Sequence, residues 1–88
     1  MLYMVVESYK QGAAPEIYRR ARERGRQLPA GLEYIESWVD LKVTKCFQLM
    51  RTDDAKLFDR WIDQWSDLVS FEVIPVQTSA QVRESFQT

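Results

Sequence analysis

In the stretch LEYIESWVDLKVTKCFQLMR, residues 32–51, Glu36 stands two positions from both Tyr34 and Trp38, and a hairpin pairing brings Cys46, Gln48 and Met50 against that set. A carboxylate among aromatic and apolar groups loses hydration, which raises its pKa toward the range useful for proton transfer. Gln48 or a tyrosine hydroxyl would then orient a carbonyl or quinone oxygen, and Glu7 and Glu72 extend the same face. The candidate ligand-binding residues are therefore Glu7, Tyr34, Glu36, Trp38, Cys46, Gln48 and Met50, with Glu36 the candidate acid–base group. The blander reading is favoured: the carboxylates pair with arginines of the first helix or of a partner, because structural ion pairs perturb carboxylates too. Cys46 would need a nearby cation to become a thiolate, and alternation points Lys45 to the opposite face, so a buried inert thiol is expected.

Composition bounds the chemistry further. The chain has 88 residues, 45% hydrophobic and 28% charged, which suits one small folded unit with a modest core. With no histidine and one cysteine, His-dependent triads, thiolate zinc sites, haem attachment and intrachain disulfides are excluded, and no metal or cofactor is expected. No apolar run approaches the roughly 20 residues a bilayer span needs. The opening MLYMVVESYK has neither a basic leader nor a small-residue cleavage site and reads as a mature strand, so the cytoplasm is the expected compartment. The net charge of -1 hides a local asymmetry: five arginines in residues 13–28 face two glutamates, while six acids in residues 53–72 face Lys56 and Arg60. Compensation between the two segments accounts for this more readily than an anionic partner does.

Residues 2–9 alternate, with Leu2, Met4 and Val6 on one side and Tyr3, Val5, Glu7 and Tyr9 on the other, so they form a strand. Gly12 breaks it, Pro15 suits the first turn of a helix, and Gly25, Pro29 and Gly31 end that helix. Its apolar stripe is Ile17, Tyr18, Ala21 and Leu28. The hairpin follows, and residues 40–44 lack Gly, Asn and Pro, which argues for a longer connection than a two-residue turn. A second helix is expected to start at Thr52-Asp53-Asp54 and close at Ser66-Asp67, with Leu57, Phe58, Trp61, Ile62 and Trp65 on one face. Residues 70–76 make a last strand, in which Pro75 fits an edge, and residues 79–87 a short terminal helix. One domain over residues 1–78 with a tail or short helix over 79–88 is the expected organisation.

The order β-α-β-β-α-β is the split βαβ pattern of the α+β ferredoxin-like fold, with both helices on one side of a four-stranded antiparallel sheet. Met4, Val6, Ile35, Val39, Phe47, Leu49, Phe71 and Val73 are expected to face the helices. The opposite face then collects Tyr3, Val5, Glu7, Tyr34, Glu36, Trp38, Cys46, Gln48, Met50, Glu72 and Ile74, too apolar to leave bare. A two-fold homodimer, sheet against sheet, is the simplest cover.

The segments MLYMVVE, YRRARERGR, GLEYIESWVD, KCFQLMRTDD and WSDLVSFEVIPV together resemble a family of small bacterial proteins known only as a domain of unknown function. The resemblance spans nearly the whole chain and implies the dimeric α+β barrel form of the ferredoxin-like fold. It implies no chemistry. More distant members of that barrel group include cofactor-free monooxygenases, haem-degrading enzymes, lactone isomerases and stress-response barrels, an analogy of fold alone.

The functional expectations are thus a homodimer with a small-molecule cavity or, alternatively, a structural or regulatory dimer that binds a protein partner. A nucleic-acid module is disfavoured. TKCFQLMRT lacks the glycine and second aromatic that a stacking strand presents, and Glu7, Glu36 and Glu72 would repel phosphates. No membrane association is expected.

Overall fold

A computed structural model describes residues 1–87. The elements are β1 (Leu2–Tyr9), α1 (Ala14–Arg24), β2 (Glu33–Val39), β3 (Lys45–Arg51), α2 (Leu57–Asp63), β4 (Val69–Val76) and α3 (Ser79–Ser85). The strands form one antiparallel sheet in the order β2-β3-β1-β4, so each of the connections β1-α1-β2 and β3-α2-β4 crosses over one intervening strand. Right-handed crossovers of this kind bring α1 and α2 to the same side of the sheet. The expected terminal helix is α3, opened by a reciprocal Thr78–Gln81 capping box; the last residue of the expected tail, Thr88, lies outside the described residues.

Local chemistry explains the element ends. Pro15 sits in the first turn of α1, and Gly25, at φ 67°, turns the chain away after Arg24. Between β2 and β3, Asp40 replaces the missing turn residues with its carboxylate. That carboxylate accepts hydrogen bonds from the Thr44 N–H at 2.7 Å, the Thr44 hydroxyl at 2.6 Å and the Lys45 N–H at 2.8 Å. The longer connection expected from the sequence is therefore an Asp-anchored loop. Helix α2 is shorter than expected. Thr52 Oγ1 accepts from the Asp54 N–H and Asp54 Oδ1 from the Lys56 N–H, so these side chains build a turn ahead of the helix instead of capping it. The apolar face still holds, with Phe58, Trp61 and Trp65 buried.

The assignment of sheet faces is corrected by the structure. The helices cover Tyr3, Val5 and Glu7 of β1 and Cys46, Gln48 and Met50 of β3, all buried, whereas Met4, Val6, Phe47 and Leu49 lie half-buried on the opposite side. Both alternate sets are rich in apolar groups, so alternation alone does not say which one meets the helices. The rings of α2 decide it by packing: Phe58 meets the Tyr3 ring edge-on at 5.0 Å, and Trp61 meets Phe71 at 5.3 Å. Phe71 and Val73 do face the helices, as expected.

A bulge in β2 supplies the second correction. Tyr34 pairs with Met50 and Glu36 with Leu49, so two steps on β2 match one on β3 and Ile35 is the extra residue. Ile35 thereby leaves the expected core set. Beyond the bulge, Ser37 and Val39 join the helix side, opposite Gln48 and Cys46, while Glu36 and Trp38 turn to the uncovered side, opposite Leu49 and Phe47. An uncovered apolar face exists, as expected, but it is made of Leu2, Met4, Val6, Trp38, Phe47, Leu49, Ile74 and Val76.

Of the charge asymmetry, one pair joins the two segments. Arg20 grips Asp67 through two hydrogen bonds, at 2.9 and 2.7 Å, and donates to the Gln64 carbonyl, which ties α1 to the turn after α2. Arg19 is held within α1 by Glu16 and Glu23.

Candidate functional site beneath the first helix

Where β1 ends and β3 begins, the sheet and α1 diverge around a cleft of about 240 Å³. Its floor is Glu7, Ser37, Val39, Cys46 and Gln48; α1 and the chain beyond it contribute Tyr18, Ala21 and Arg26; Trp61 and Trp65 close the rear. A broader hollow of about 680 Å³ lies at the other end of the sheet, lined by Met1, Leu2, Arg51, Pro75, Val76, Gln77 and Gln81. Size favours that hollow but chemistry does not: its one charged side chain, Arg51, is paired with Glu33. The cleft, by contrast, contains a buried carboxyl.

That carboxyl is Glu7, 7% exposed. Burial pushes its pKa up, and the hydrogen bonds from Gln48 and Cys46 and the charge of Arg26 only partly oppose this. Gln48 is the middle of a chain of polar contacts: its Nε2 donates to Glu7 Oε2, and its Oε1 accepts from Arg26 Nε at 3.4 Å. A single side-chain amide thus separates a guanidinium from a carboxyl. Arg26 is fixed twice over. Its guanidinium stacks 3.6 Å above the Tyr34 ring, and its carbonyl accepts both indole N–H groups, from Trp61 at 2.9 Å and Trp65 at 3.1 Å. The next residue, Gln27, has φ 60°, and its Nε2 is buried without a hydrogen-bond partner. Strained backbone and an orphan amide beside a cleft are features that packing alone does not favour.

The remaining groups are quieter. Burial and the neighbouring Glu7 push the Cys46 thiol up to about 12, so it stays protonated and unreactive at neutral pH. Tyr9 and Tyr18 share a hydroxyl contact at 3.2 Å, and burial first, then that contact, raise the Tyr9 pKa. Tyr34 shares a contact of 2.7 Å with the Ser37 hydroxyl. Among the described residues no group of three or more His, Cys, Asp or Glu side chains is arranged to hold a metal ion, and no helix is long and apolar enough to cross a membrane.

Of the residues singled out from the sequence, the structure brings Glu7, Cys46 and Gln48 together in the cleft. Tyr34 lies beside it beneath Arg26, and Met50, fully buried, belongs to the core. Glu36 and Trp38 are not part of it. Glu36 is exposed on the uncovered face, where its Oε1 accepts from the Ser37 N–H, and Trp38 is 53% exposed. The desolvated carboxyl expected of Glu36 is that of Glu7 instead. Arg26, Tyr18, Ser37, Trp61 and Trp65 were not anticipated as site residues. The one available signal for Arg26 was Gly25 before it, which marks where the chain leaves the helix and folds back.

The chain belongs to the family described as Domain of unknown function (DUF3303), whose model matches residues 1–88. No curated protein and no solved structure matches it.

Proposed function

We propose that this protein is a homodimer of ferredoxin-like subunits, in the dimeric α+β barrel form, that binds a small molecule in the cleft beneath α1. The observation that carries the binding role is Glu7: a buried carboxyl at the base of a cleft, partnered by an amide and facing open space. A desolvated ionisable group on the floor of a cleft is a recurrent mark of a ligand-binding site. Support for the dimer comes from the uncovered sheet face, where Trp38 and Ile74 are exposed and six further apolar side chains are only half-buried. Glu36 and Glu72 on that face speak against a nucleic-acid partner. The single cysteine, held as a free thiol, suits the cytoplasm.

Binding is tested by thermal unfolding against a panel of quinones, aromatic acids and haem, the last being too large for the cleft and probing the dimer interior. A ligand of the native state raises the melting temperature, by about 2.7 kcal/mol of stabilisation at a hundredfold excess over its Kd. Ala21→Phe fills the cleft from α1 and abolishes the shift if the cleft is the site. A panel in which no quinone or aromatic acid gives a shift, or in which their shifts survive Ala21→Phe, removes the cleft reading.

A second reading, a structural or regulatory dimer that docks a protein partner, is favoured by one feature. Leu41, at the hairpin tip, is fully exposed and Val43 beside it is 41% exposed. A dimer that binds no panel compound supports it.

A further inference from the structure

We propose that Glu7 is a proton-transfer residue for a small planar α-keto acid, with Arg26 receiving the ligand's carboxylate at the mouth of the cleft. This rests on the reading of the cleft as a small-molecule site and adds a ligand class and a reaction to it. Arg26 supplies the recognition. It spends its Nε on Gln48 and makes no ion pair among the described residues, unlike Arg19, Arg20 and Arg51. Its plane is set by stacking on Tyr34 and its backbone by the two indoles, so its terminal nitrogens present a rigid fork of the kind that matches a carboxylate. Trp61, Trp65, Ile17 and Val39 make part of the cleft lining apolar, and the volume of about 240 Å³ admits an aromatic ring with a short polar arm.

Glu7 lies one amide away from that fork. Gln48 is a positioning residue: it donates to one carboxyl oxygen of Glu7 and so fixes the group's orientation. With the ligand's carboxylate on Arg26, its keto group and the adjacent carbon extend toward Glu7. The carboxylate of Glu7 removes a proton from that carbon; the C–H bond breaks, and its electron pair forms the carbon–carbon double bond of an enolate. The proton, now on Glu7, passes to the enolate oxygen, which yields the enol and restores the carboxylate. No oxidant, reductant or second substrate is required. The positive charge of Arg26 and the desolvated surroundings favour the dianionic enolate at the stage where negative charge builds up.

Phenylpyruvate is the probe. Its keto–enol interconversion is followed by ultraviolet absorbance and the exchange of its methylene protons with deuterium oxide by NMR, alongside its effect on the melting temperature. The wild-type protein is expected to raise the melting temperature with phenylpyruvate and to accelerate exchange about a hundredfold over buffer. Glu7→Gln, of the same shape, is expected to return exchange to the buffer rate while keeping the thermal shift. Arg26→Ala leaves the backbone carbonyl that holds the indoles and is expected to weaken phenylpyruvate binding about tenfold, the loss of one charge-assisted hydrogen bond. Thermal stabilisation with exchange at the buffer rate overturns the reaction and leaves the cleft reading standing. Acceleration that survives Glu7→Gln overturns the role of Glu7, and binding indifferent to Arg26→Ala overturns the carboxylate site. Neither stabilisation nor exchange with phenylpyruvate overturns the whole proposal, while the compound panel with Ala21→Phe still judges the cleft separately.

Discussion

The hydroxyl oxygens of Tyr34 and Ser37 lie 2.7 Å apart on the helix side of β2, three residues apart in the chain. In a regular strand residues at that spacing point to opposite faces; the extra residue Ile35 lets both meet. Removing Ile35 therefore restores a regular strand and leaves Ser37, Trp38 and Val39 on their present faces. Deleting Phe47 from the opposing strand, which has no bulge, turns Gln48 and Met50 outward. The first deletion is expected to retain a cooperative thermal transition, and the second to lose about 3 kcal/mol or more by exposing core and burying the wrong residues. Circular dichroism melts of the two variants check this.

Trp38 is half in water on the uncovered face of β2. If that face joins two subunits, Trp38→Lys places a charge within it, on the edge strand β2. The variant is expected to elute at half the mass of the wild type, with monomer stability changed by no more than about 0.5 kcal/mol, as for other surface substitutions. Light scattering after size-exclusion chromatography reads the mass, and an unchanged dimer sinks the proposed interface.

Trp61 closes the rear of the cleft and packs with Phe58 and Phe71 at 1% exposure. Trp61→Ala is expected to destabilise by about 3–5 kcal/mol in urea. Trp61→Phe keeps a ring but deletes the N–H that holds the Arg26 carbonyl, and is expected to lose about 1–2 kcal/mol. The phenylalanine variant leaves the Trp65 indole as the remaining donor to the Arg26 carbonyl, so phenylpyruvate binding is expected to weaken as well.

Glu7 makes stability depend on pH with a definite sign. Burial raises its folded pKa above the ordinary value of 4.5, so the folded state holds the proton more tightly than the unfolded chain. Its contribution is best below the unfolded pKa and is lost as pH rises through the raised folded value. The groups facing it are Cys46 from β3, Tyr9 of its own strand, with Tyr18 of α1 behind that hydroxyl, and Arg26 beyond α1; α2 and the turn after it contribute only the uncharged rings of Trp61 and Trp65. Of these Arg26 alone is charged at neutral pH, and it limits the loss. Glu7→Gln cannot ionise, so its melting temperature is expected to match the wild type near pH 4 and to exceed it at pH 8. Equal pH profiles for the two proteins refute the buried-charge account.

Cys46, buried and held near 12, is expected to resist a thiol-directed disulfide reagent at pH 8 in the folded protein. It reacts at once in urea. Rapid labelling of the native state, followed by absorbance, contradicts the placement of the thiol.

Much of this arrangement was legible in the residues. The alternation of residues 2–9, Pro15 and Gly25 around α1, the turn-poor segment 40–44 and the apolar spacing of Phe58, Trp61 and Trp65 all correspond to observed features. These signals are local: each depends on dihedral preference or on a period that neighbouring residues share. The lining of the cleft was half legible. Glu7, Cys46 and Gln48 were grouped correctly because strand pairing keeps alternate residues on one face. Alternation also places Glu36 and Trp38 with them, but a bulge of one residue puts these two on the opposite face, and Ile35 carries no mark distinguishing it from an ordinary strand residue.

The sequence by itself determined the order of the elements, the two alternating sets on β1 and β3, and, within these 88 residues, the exclusion of histidine chemistry and intrachain disulfides. Only the tertiary structure decided which set lies beneath the helices and which lies bare. Alternation is unchanged when the two faces of a sheet are exchanged, and both sets here are apolar enough to be buried. The choice is made by the rings of α2 finding Tyr3 and Phe71, and by two indole N–H groups that fix Arg26 over the sheet, contacts between residues far apart in the chain. Those contacts put Glu7 under cover, and the bulge at Ile35 put Glu36 in water.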